Sequence, residues 1–441
     1  MKTWKAVVIA LFAICTMILL SFTFRRESKP KHRSTYRSIP KGCVFRTVMG
    51  EESSDSSFLY FTSEKALTSI QHGLEWITKA QSQNGGWGAG SHHRQDVMDP
   101  KAVPSDPATT AMVAMALLRS GSNLKTGEYS SQLQNALRYL LREIESSSTK
   151  NINITDQTGT QIQVKLGANI DVILASQFLS NLLDGNIEHD EQLKGRVKKA
   201  NNICVSKIQQ AQDGNGSFAG SGWAGVLQSS FATNALEAAQ GQGATVDDKA
   251  LDRAREFQKG NYDSKTGNVK TEMGAGVMLY SVTGSARASA KEARRADEEI
   301  NKARRDGRLA ANAALTAQNL EKIGFGKDEA MKYATAYEVY QSAKVQAQRA
   351  DVMDGFGSNG GEEFLSYLQT GESMIIGKDS EWKKWYDTMS GRLLTIQNDD
   401  GSWSGHHCIT SPVFCTATCL LILSVNNDVN KLTELGRDKK N

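Results

Sequence analysis

A short pattern of glutamine, glycine and an aromatic residue occurs three times in this chain of 441 residues. The copies are Gln81, Gly85 and Trp87; Gln212, Gly216 and Phe218; and Gln397, Gly401 and Trp403. Each copy follows a segment with helical periodicity and precedes a second apolar segment. Self-similarity of this kind is typical of repeat architectures, in which each unit is one supersecondary motif. The pattern therefore favours a chain built from helical hairpins.

Each residue type in this pattern has a use at the end of a helix. Glycine lets the chain turn sharply, and an aromatic side chain buries a large apolar surface against neighbouring helices. The glutamine amide both donates and accepts hydrogen bonds, so it can satisfy backbone groups left open where a helix ends. We interpret the pattern as a joint between successive hairpins. Stacking of a ligand on Trp87 or Trp403 is the alternative interpretation.

Apolar residues recur with helical spacing through most of residues 61–430. Ser63 and Asp106, the latter followed by Pro107, are predicted to begin helices as N-caps. We count about ten to twelve helical segments, which pair into roughly five or six hairpins. The first and last repeats resemble each other, and a closed ring would cover the ends that an open solenoid exposes. The predicted fold is therefore all-α, an α/α toroid.

Two segments interrupt this regular pattern. In residues 151–166, Ile152 and Ile154 and then Ile162 and Val164 alternate with polar residues, which predicts an inserted β-hairpin. Residues 286–317 are rich in Ala, Arg and Glu and poor in large apolar side chains. That composition predicts an exposed charged helix whose arginines face solvent.

The N-terminus contains a candidate membrane anchor. Residues 6–24 carry no charge and are mostly apolar, and about 20 such residues can span a bilayer as a helix. Because no small-residue cleavage site follows, residues 1–24 are predicted to be an uncleaved anchor, with a cleaved signal peptide as the alternative. The short N-terminal flank favours export of the remaining chain, whereas the more basic flank after the span favours the cytoplasm; we favour export.

The segments on either side of the repeat region are predicted from their composition and position. Residues 25–60 are basic, then rich in Ser and Glu, and are predicted to be a polar tether; residues 431–441 are predicted to be a disordered tail.

Apolar residues are 39% of the chain, enough for a large core. A net charge of +4 is too small to indicate a nucleic-acid partner. Cys408, Cys415 and Cys419 would pair only in an exported chain, and buried thiols are the alternative.

The residues around Trp76, with Gln81, Gly85 and Trp87, resemble the QW motif of squalene and hopene cyclases. Residues 397–403, followed by Thr416 and Ala417, resemble it as well. The resemblance extends over residues 61–430. It implies the superfamily of terpenoid cyclases and protein prenyltransferase β subunits, whose members are α/α toroids around an apolar cavity that receives isoprenoid chains.

The chemistry of that superfamily is not reproduced in the sequence. Class II cyclases protonate an alkene with the middle aspartate of a D-x-D-D-T-A motif, and the matching segment here begins at Asp106 and has Ala108 in the donor position. Alanine has no proton to donate, so Asp106 is better explained as a helix cap. The Asp-x-Cys zinc motif of prenyltransferases is absent from the sequence.

Two clusters remain as candidate sites. His406, His407 and Cys408 are soft ligands that could hold zinc if a carboxylate approached, and His92-His93 forms a similar pair in the equivalent loop of the first repeat. No other cofactor is indicated. The glycine-rich segment 354–361 leads into a helix that begins with Glu362 and Glu363. We name Asp354, Glu362 and Glu363 as candidate catalytic acids or bases; the alternative is that the two glutamates only interact with the helix dipole.

The leading functional hypothesis is a membrane-anchored repeat protein that binds an isoprenoid or another apolar ligand in a central cavity. One alternative is a tethered scaffold whose ring face binds a protein or a cell-envelope polymer. A second alternative is a divergent cyclase or transferase that uses the carboxylates Asp354, Glu362 or Glu363. The lining of the cavity should separate the three, because an apolar pocket, a filled ring and an acidic pocket are different surfaces.

Overall fold

The computed structural model describes residues 62–185, 187 and 190–435. The predicted anchor, the tether and residues 436–441 lie outside these residues. The described part of the chain is helical and contains isolated β-bridges but no β-strand, which confirms the all-α fold class. The predicted disordered tail is wrong at its start, because a helix continues to Leu435.

The described residues form sixteen α-helices. They are α1 (Glu64–Lys79), α2 (Pro107–Arg119), α3 (Ser130–Ser146), α4 (Gln161–Lys165), α5 (Ile170–Leu183), α6 (Glu191–Gln210), α7 (Gly225–Gly241), α8 (Asp248–Lys259), α9 (Met278–Arg305), α10 (Ala317–Lys322), α11 (Lys327–Ala347), α12 (Ala350–Met353), α13 (Gly361–Ile376), α14 (Trp382–Thr395), α15 (Pro412–Leu423) and α16 (Val429–Leu435). Ser63 and Asp106 cap α1 and α2 through bonds of 3.3 and 2.7 Å from the backbone N–H groups of Ala66 and Thr109, as predicted.

Twelve of these helices alternate between an outer and an inner position. The outer helices are α1, α3, α6, α8, α11 and α14, and the inner helices are α2, α5, α7, α9, α13 and α15. Each inner helix packs against the next one along the chain, and α15 packs against α2. Every residue of α13 and α15 is buried, whereas an outer helix such as α1 buries only one side.

All six inner helices begin at the same end of the molecule. The N–H of Ala108 in α2 donates to Asp171 in α5 (3.0 Å), and the hydroxyl of Tyr280 in α9 donates to Glu363 in α13 (2.6 Å). These contacts join the first turns of different inner helices, so those helices run parallel. We call this end the loop face; it consists of residues 80–106, 147–169, 211–224, 260–277, 348–360 and 396–411.

The three glycines of the repeated pattern make the turn that was predicted for them. Gly85, Gly216 and Gly401 have φ values of 92°, 91° and 93°, a left-handed conformation that favours glycine. A Cβ atom at these positions would lie 2.6, 2.2 and 2.7 Å from a backbone oxygen of a neighbouring outer helix. Both the backbone conformation and the close approach therefore require glycine.

The glutamines and aromatic residues complete the joint. Gln397 Nε2 donates to the carbonyls of Gly401 (2.8 Å) and Ser69 (3.0 Å), and so ties the last joint to α1. Gln81 makes the equivalent pair of bonds, both 2.9 Å long. Trp87, Phe218 and Trp403 are at most 1% exposed, which confirms the structural interpretation of the repeat.

The hairpin prediction for residues 151–166 is wrong. The segment ends in the short helix α4, which Thr160 caps: its hydroxyl accepts from the N–H of Gln163 (3.1 Å) while the Gln163 side chain bonds back to Thr160. A capping box of this kind begins a helix. The preceding loop is held by Lys207, whose Nζ donates to the carbonyls of Ser148 (2.7 Å) and Asn153 (3.2 Å).

The prediction of an exposed helix over residues 286–317 is wrong for the first part of the segment, which is buried, whereas residues such as Arg305 and Arg308 are exposed. The segment belongs to α9 as far as Arg305, and Arg287 and Arg294 are only 4% and 3% exposed. Arg287 lies 3.3 Å from Glu237, and Arg294 donates to the carbonyl of Thr433 (2.6 Å). The small residues of α9 let it pack between other helices, so its charged groups must find partners inside the protein.

Candidate functional site

Glu362 and Glu363 form a buried acidic pair at the start of α13. Their exposures are 2% and 0%. Glu363 accepts hydrogen bonds from the N–H of Gly360 (2.9 Å) and from Tyr280, and Glu362 accepts one from the N–H of Ile409 (3.3 Å). Carboxylates are favourable in the first turn of a helix because they interact with the exposed N–H groups and the dipole. Glu363 therefore has a clear structural role as a cap.

The two glutamates are not chemically equivalent. Burial, and then the neighbouring charge of Glu363, raise the pKa of Glu362 to about 8. At neutral pH Glu362 is therefore mostly a neutral carboxylic acid that can donate a proton or a hydrogen bond. This is the arrangement that a general acid needs, although burial alone also produces it.

We expect the substitution Glu362→Gln to flatten the dependence of stability on pH. Burial raises the pKa of Glu362 in the folded state from 4.5 to about 8, so folding favours the protonated side chain. The contribution of that side chain to the free energy of unfolding is therefore complete below pH 4.5 and is lost as pH rises through about 8. Glutamine cannot ionise, so the variant should match the original protein near pH 4.5 and exceed it at pH 9. Denaturant midpoints at the two pH values measure this, with the exposed Glu321→Gln as the control; equal pH dependence in all three proteins would contradict the assignment.

Of the three predicted zinc ligands at residues 406–408, His407 and Cys408 lie beside this acidic pair and His406 does not. His407 Nε2 is 2.8 Å from the carbonyl of Ser358 and 3.8 Å from Glu363 Oε2, and its ring meets Phe356 edge-on at 5.4 Å. Burial and the charge of Glu362 raise the pKa of the Cys408 thiol to about 11. His406 is exposed. The cluster therefore brings together an imidazole, a protonated thiol and two carboxyl groups.

The side chains of this cluster do not form a metal site among the described residues, where no group of three or more His, Cys, Asp or Glu is arranged to hold an ion. The two histidine pairs have different neighbours: His92 lies 6.4 Å from Trp223, whereas His407 lies against Phe356. Cys408, Cys415 and Cys419 are free thiols, and the last two are fully buried.

Asp354 lies outside the buried cluster. It is exposed and forms an ion pair of 3.3 Å with Arg392. An exposed pair of this kind contributes little to stability. Of the three proposed catalytic carboxylates, the structure thus brings together only Glu362 and Glu363.

Three residues of this region were missed in the sequence. Lys165 is 3% exposed and its Nζ lies 3.9 Å from the ring centroid of Trp223, whose own exposure is 61%. Tyr280 binds Glu363 as described above. Because residues 151–166 were predicted to form a hairpin, Lys165 was not recognised as a residue of a helix. A capping-box search with Thr160 and Gln163 would have found α4 and therefore Lys165.

A second acidic pair holds the start of α2. Asp106 accepts from the N–H groups of Thr109 (2.7 Å) and Ala89 (2.8 Å), which confirms its role as a cap. Burial, and then the charge of Asp171, raise the pKa of Asp106 to about 7. Ala108 is fully buried, and its N–H donates to Asp171. The residue that the resemblance aligns with the class II proton donor is therefore a buried alanine.

Polar side chains bridge inner helices that are not neighbours in the packing order. The Ser230 hydroxyl of α7 donates to Gln369 Oε1 of α13 (2.6 Å). At the opposite end from the loop face, Arg119 of α2 pairs with Glu372 of α13 (2.7 Å). Both bridges therefore place polar groups between inner helices at two different levels.

Two open clefts lie near the loop between α8 and α9, on either side of Gly260. Their volumes are about 450 and 520 Å³. The first is lined by residues such as Glu256, Lys270 and Met273, and neither includes a residue of the Glu362 cluster. The clefts are therefore separate from the acidic site.

No family model, curated protein or solved structure matches the chain. Within the described ranges, no helix has both the length and the apolar character needed to cross a bilayer. The predicted anchor at residues 6–24 lies outside those ranges.

Proposed function

We propose that this chain is an α/α toroid of the terpenoid cyclase and prenyltransferase type, anchored to a membrane by residues 1–24, that binds an apolar ligand at its loop face. The order of packing supports the toroid, because the six inner helices contact one another in sequence and α15 returns to α2. The three joints support the resemblance, because each has the buried aromatic residue and the glycine turn expected of a QW-type repeat.

The observation that carries the proposal is a group of exposed apolar side chains at the loop face. Met98, Trp223, Met278 and Phe356 come from or adjoin four different loops of this face, and their exposures are 46%, 61%, 39% and 50%. Apolar groups exposed together on one surface are typical of binding sites for ligands, membranes or proteins. The polar bridges between inner helices argue for a ligand that lies at this face and not deep between the helices.

Lipid extraction and mass spectrometry of the purified full chain would test this function. We expect an apolar molecule to co-purify, and we expect the double variant W223A/F356A to retain at least about tenfold less of it. The matched control is M331A/V345A, which removes two exposed apolar side chains of α11. If no apolar ligand is retained and a protein partner binds the loop face instead, the scaffold hypothesis replaces this one.

A second candidate function, an enzyme that uses Glu362 as a proton donor, is favoured by the raised pKa of that group. Under this hypothesis E362Q binds the co-purified ligand normally but no longer converts it. Conversion by E362Q at the original rate would remove Glu362 as the acid.

A further inference from the structure

The ammonium group of Lys165 is buried without a direct salt bridge among the described residues. Among the described residues no carboxylate lies within 4.0 Å of its Nζ, although the residue is only 3% exposed. Buried charges in proteins are normally paired. The neighbouring groups are the indole ring of Trp223, the thiol of Cys408, which is hydrogen-bonded to Lys165, and the carboxyl group of Glu362, which lies near enough to interact with its charge. A cation–π contact recovers only part of the free energy that an ammonium group loses when it leaves water.

A buried donor without a partner lies one helical turn before Lys165. Gln161 is fully buried, and its Oε1 accepts from the N–H groups of Thr410 (2.8 Å) and Ser411 (3.1 Å). Those two donors fix the orientation of the amide, so the Nε2 group is the one left without a partner. Residues four apart in a helix lie on the same side, which places Gln161 and Lys165 together on one side of α4.

The Nε2 group of Gln161 and the ammonium group of Lys165 are both donors, so a ligand that binds them must offer acceptor oxygens. We propose that Lys165 and Gln161 hold the carboxylate head of a long-chain carboxylate whose tail lies along the exposed apolar side chains of the loop face. This inference rests on the proposed function and adds the head group to it. A single negative charge fits best, because there is one ammonium group and because Glu362 and Glu363 are close enough to Cys408 to act on its thiol, where a polyanion would be repelled.

The side chain of Trp223 lies between Lys165 and solvent. Its backbone is fixed, since the N–H of Trp223 donates to the carbonyl of Val164 (3.3 Å) and the N–H of Ala224 donates to that of Lys165 (2.7 Å). The indole side chain is mostly exposed and covers the ammonium group. Rotation of this one side chain uncovers Lys165 without moving the backbone.

The test measures binding of dodecanoate, dodecanol and dodecyl phosphate to the delipidated full chain by titration calorimetry. We expect dodecanoate to bind at least about tenfold more tightly than dodecanol. K165Q should lose this preference while its affinity for dodecanol is unchanged, K165R should keep most of it, and the exposed K198Q should behave as the original protein. Unchanged affinity of K165Q for dodecanol also shows that the variant is folded.

Other results would overturn the inference in distinguishable ways. If K165Q keeps the preference for dodecanoate, Lys165 does not hold the head group, while the apolar site stands. If dodecyl phosphate binds more tightly than dodecanoate, the head-group class is wrong. If neither dodecanoate nor dodecanol binds, both the inference and the proposed apolar site fail.

Discussion

Replacing Trp403 with alanine should lower the free energy of unfolding by about 3–5 kcal/mol, the usual cost of removing a buried aromatic side chain. The indole of Trp403 is fully buried, and its Nε1 donates to the carbonyl of Leu393 (2.9 Å). It also lies against Gly73 of α1, where even one added methyl group would come within 2.8 Å of the ring. The substitution therefore loosens the contact between the last joint and the first helix.

Chemical denaturation followed by far-ultraviolet circular dichroism measures this change without relying on tryptophan fluorescence. W403F keeps most of the packing but loses the N–H bond, and it should cost about 1–2 kcal/mol. The exposed Met331→Ala is the control and should leave the midpoint almost unchanged. A loss below about 1 kcal/mol for W403A would mean that the repeated aromatic residue is not part of the stabilising joint.

Replacing Arg119 with methionine should cost about 3–5 kcal/mol, because it leaves a buried carboxylate without its partner. Arg119 and Glu372 are 8% and 5% exposed, and the guanidinium also pairs with Asp428 (2.7 Å) and donates to the carbonyl of Leu421 (3.1 Å). One side chain therefore joins α2, α13 and the end of α15. Its loss should separate these elements at the end opposite the loop face.

A double variant distinguishes the unpaired charge from the general loss of packing. R119M/E372M removes both charges and should be more stable than R119M alone, because apolar pairs of similar volume often replace buried ion pairs without loss. The control is R349M, which removes one partner of an exposed pair with Asp351 and should leave the denaturation midpoint unchanged. If R119M/E372M were no more stable than R119M, unpaired charge would not be the cause.

The loop face combines the two groups of residues that the sequence left separate. Glu362 was expected to belong to a catalytic site, and His407 and Cys408 to a zinc site. In the structure Cys408 and Glu362 lie near Lys165, and the ammonium group of Lys165 lies against Trp223. The resulting surface contains a neutral acid, a buried cation and exposed aromatic groups, a combination suited to an amphipathic ligand.

The residues that could be predicted are those whose role is local. The turn at Gly401 and the caps Ser63 and Asp106 depend on a few adjacent residues, so spacing and residue type identify them. The same reasoning failed at residues 151–166, where four apolar residues in a short segment fit a strand and a helix equally well.

The sequence by itself determined the helical hairpins, because the period of its apolar residues and the chemistry of its joints act within one repeat. Only the tertiary structure decided which charged groups are buried and what they meet. Arg287 finds Glu237 fifty residues away, and Lys165 meets Cys408 from a distant loop. Such pairings depend on the packing of whole helices, since a side chain's partners are set by spatial neighbours and not by neighbours in sequence.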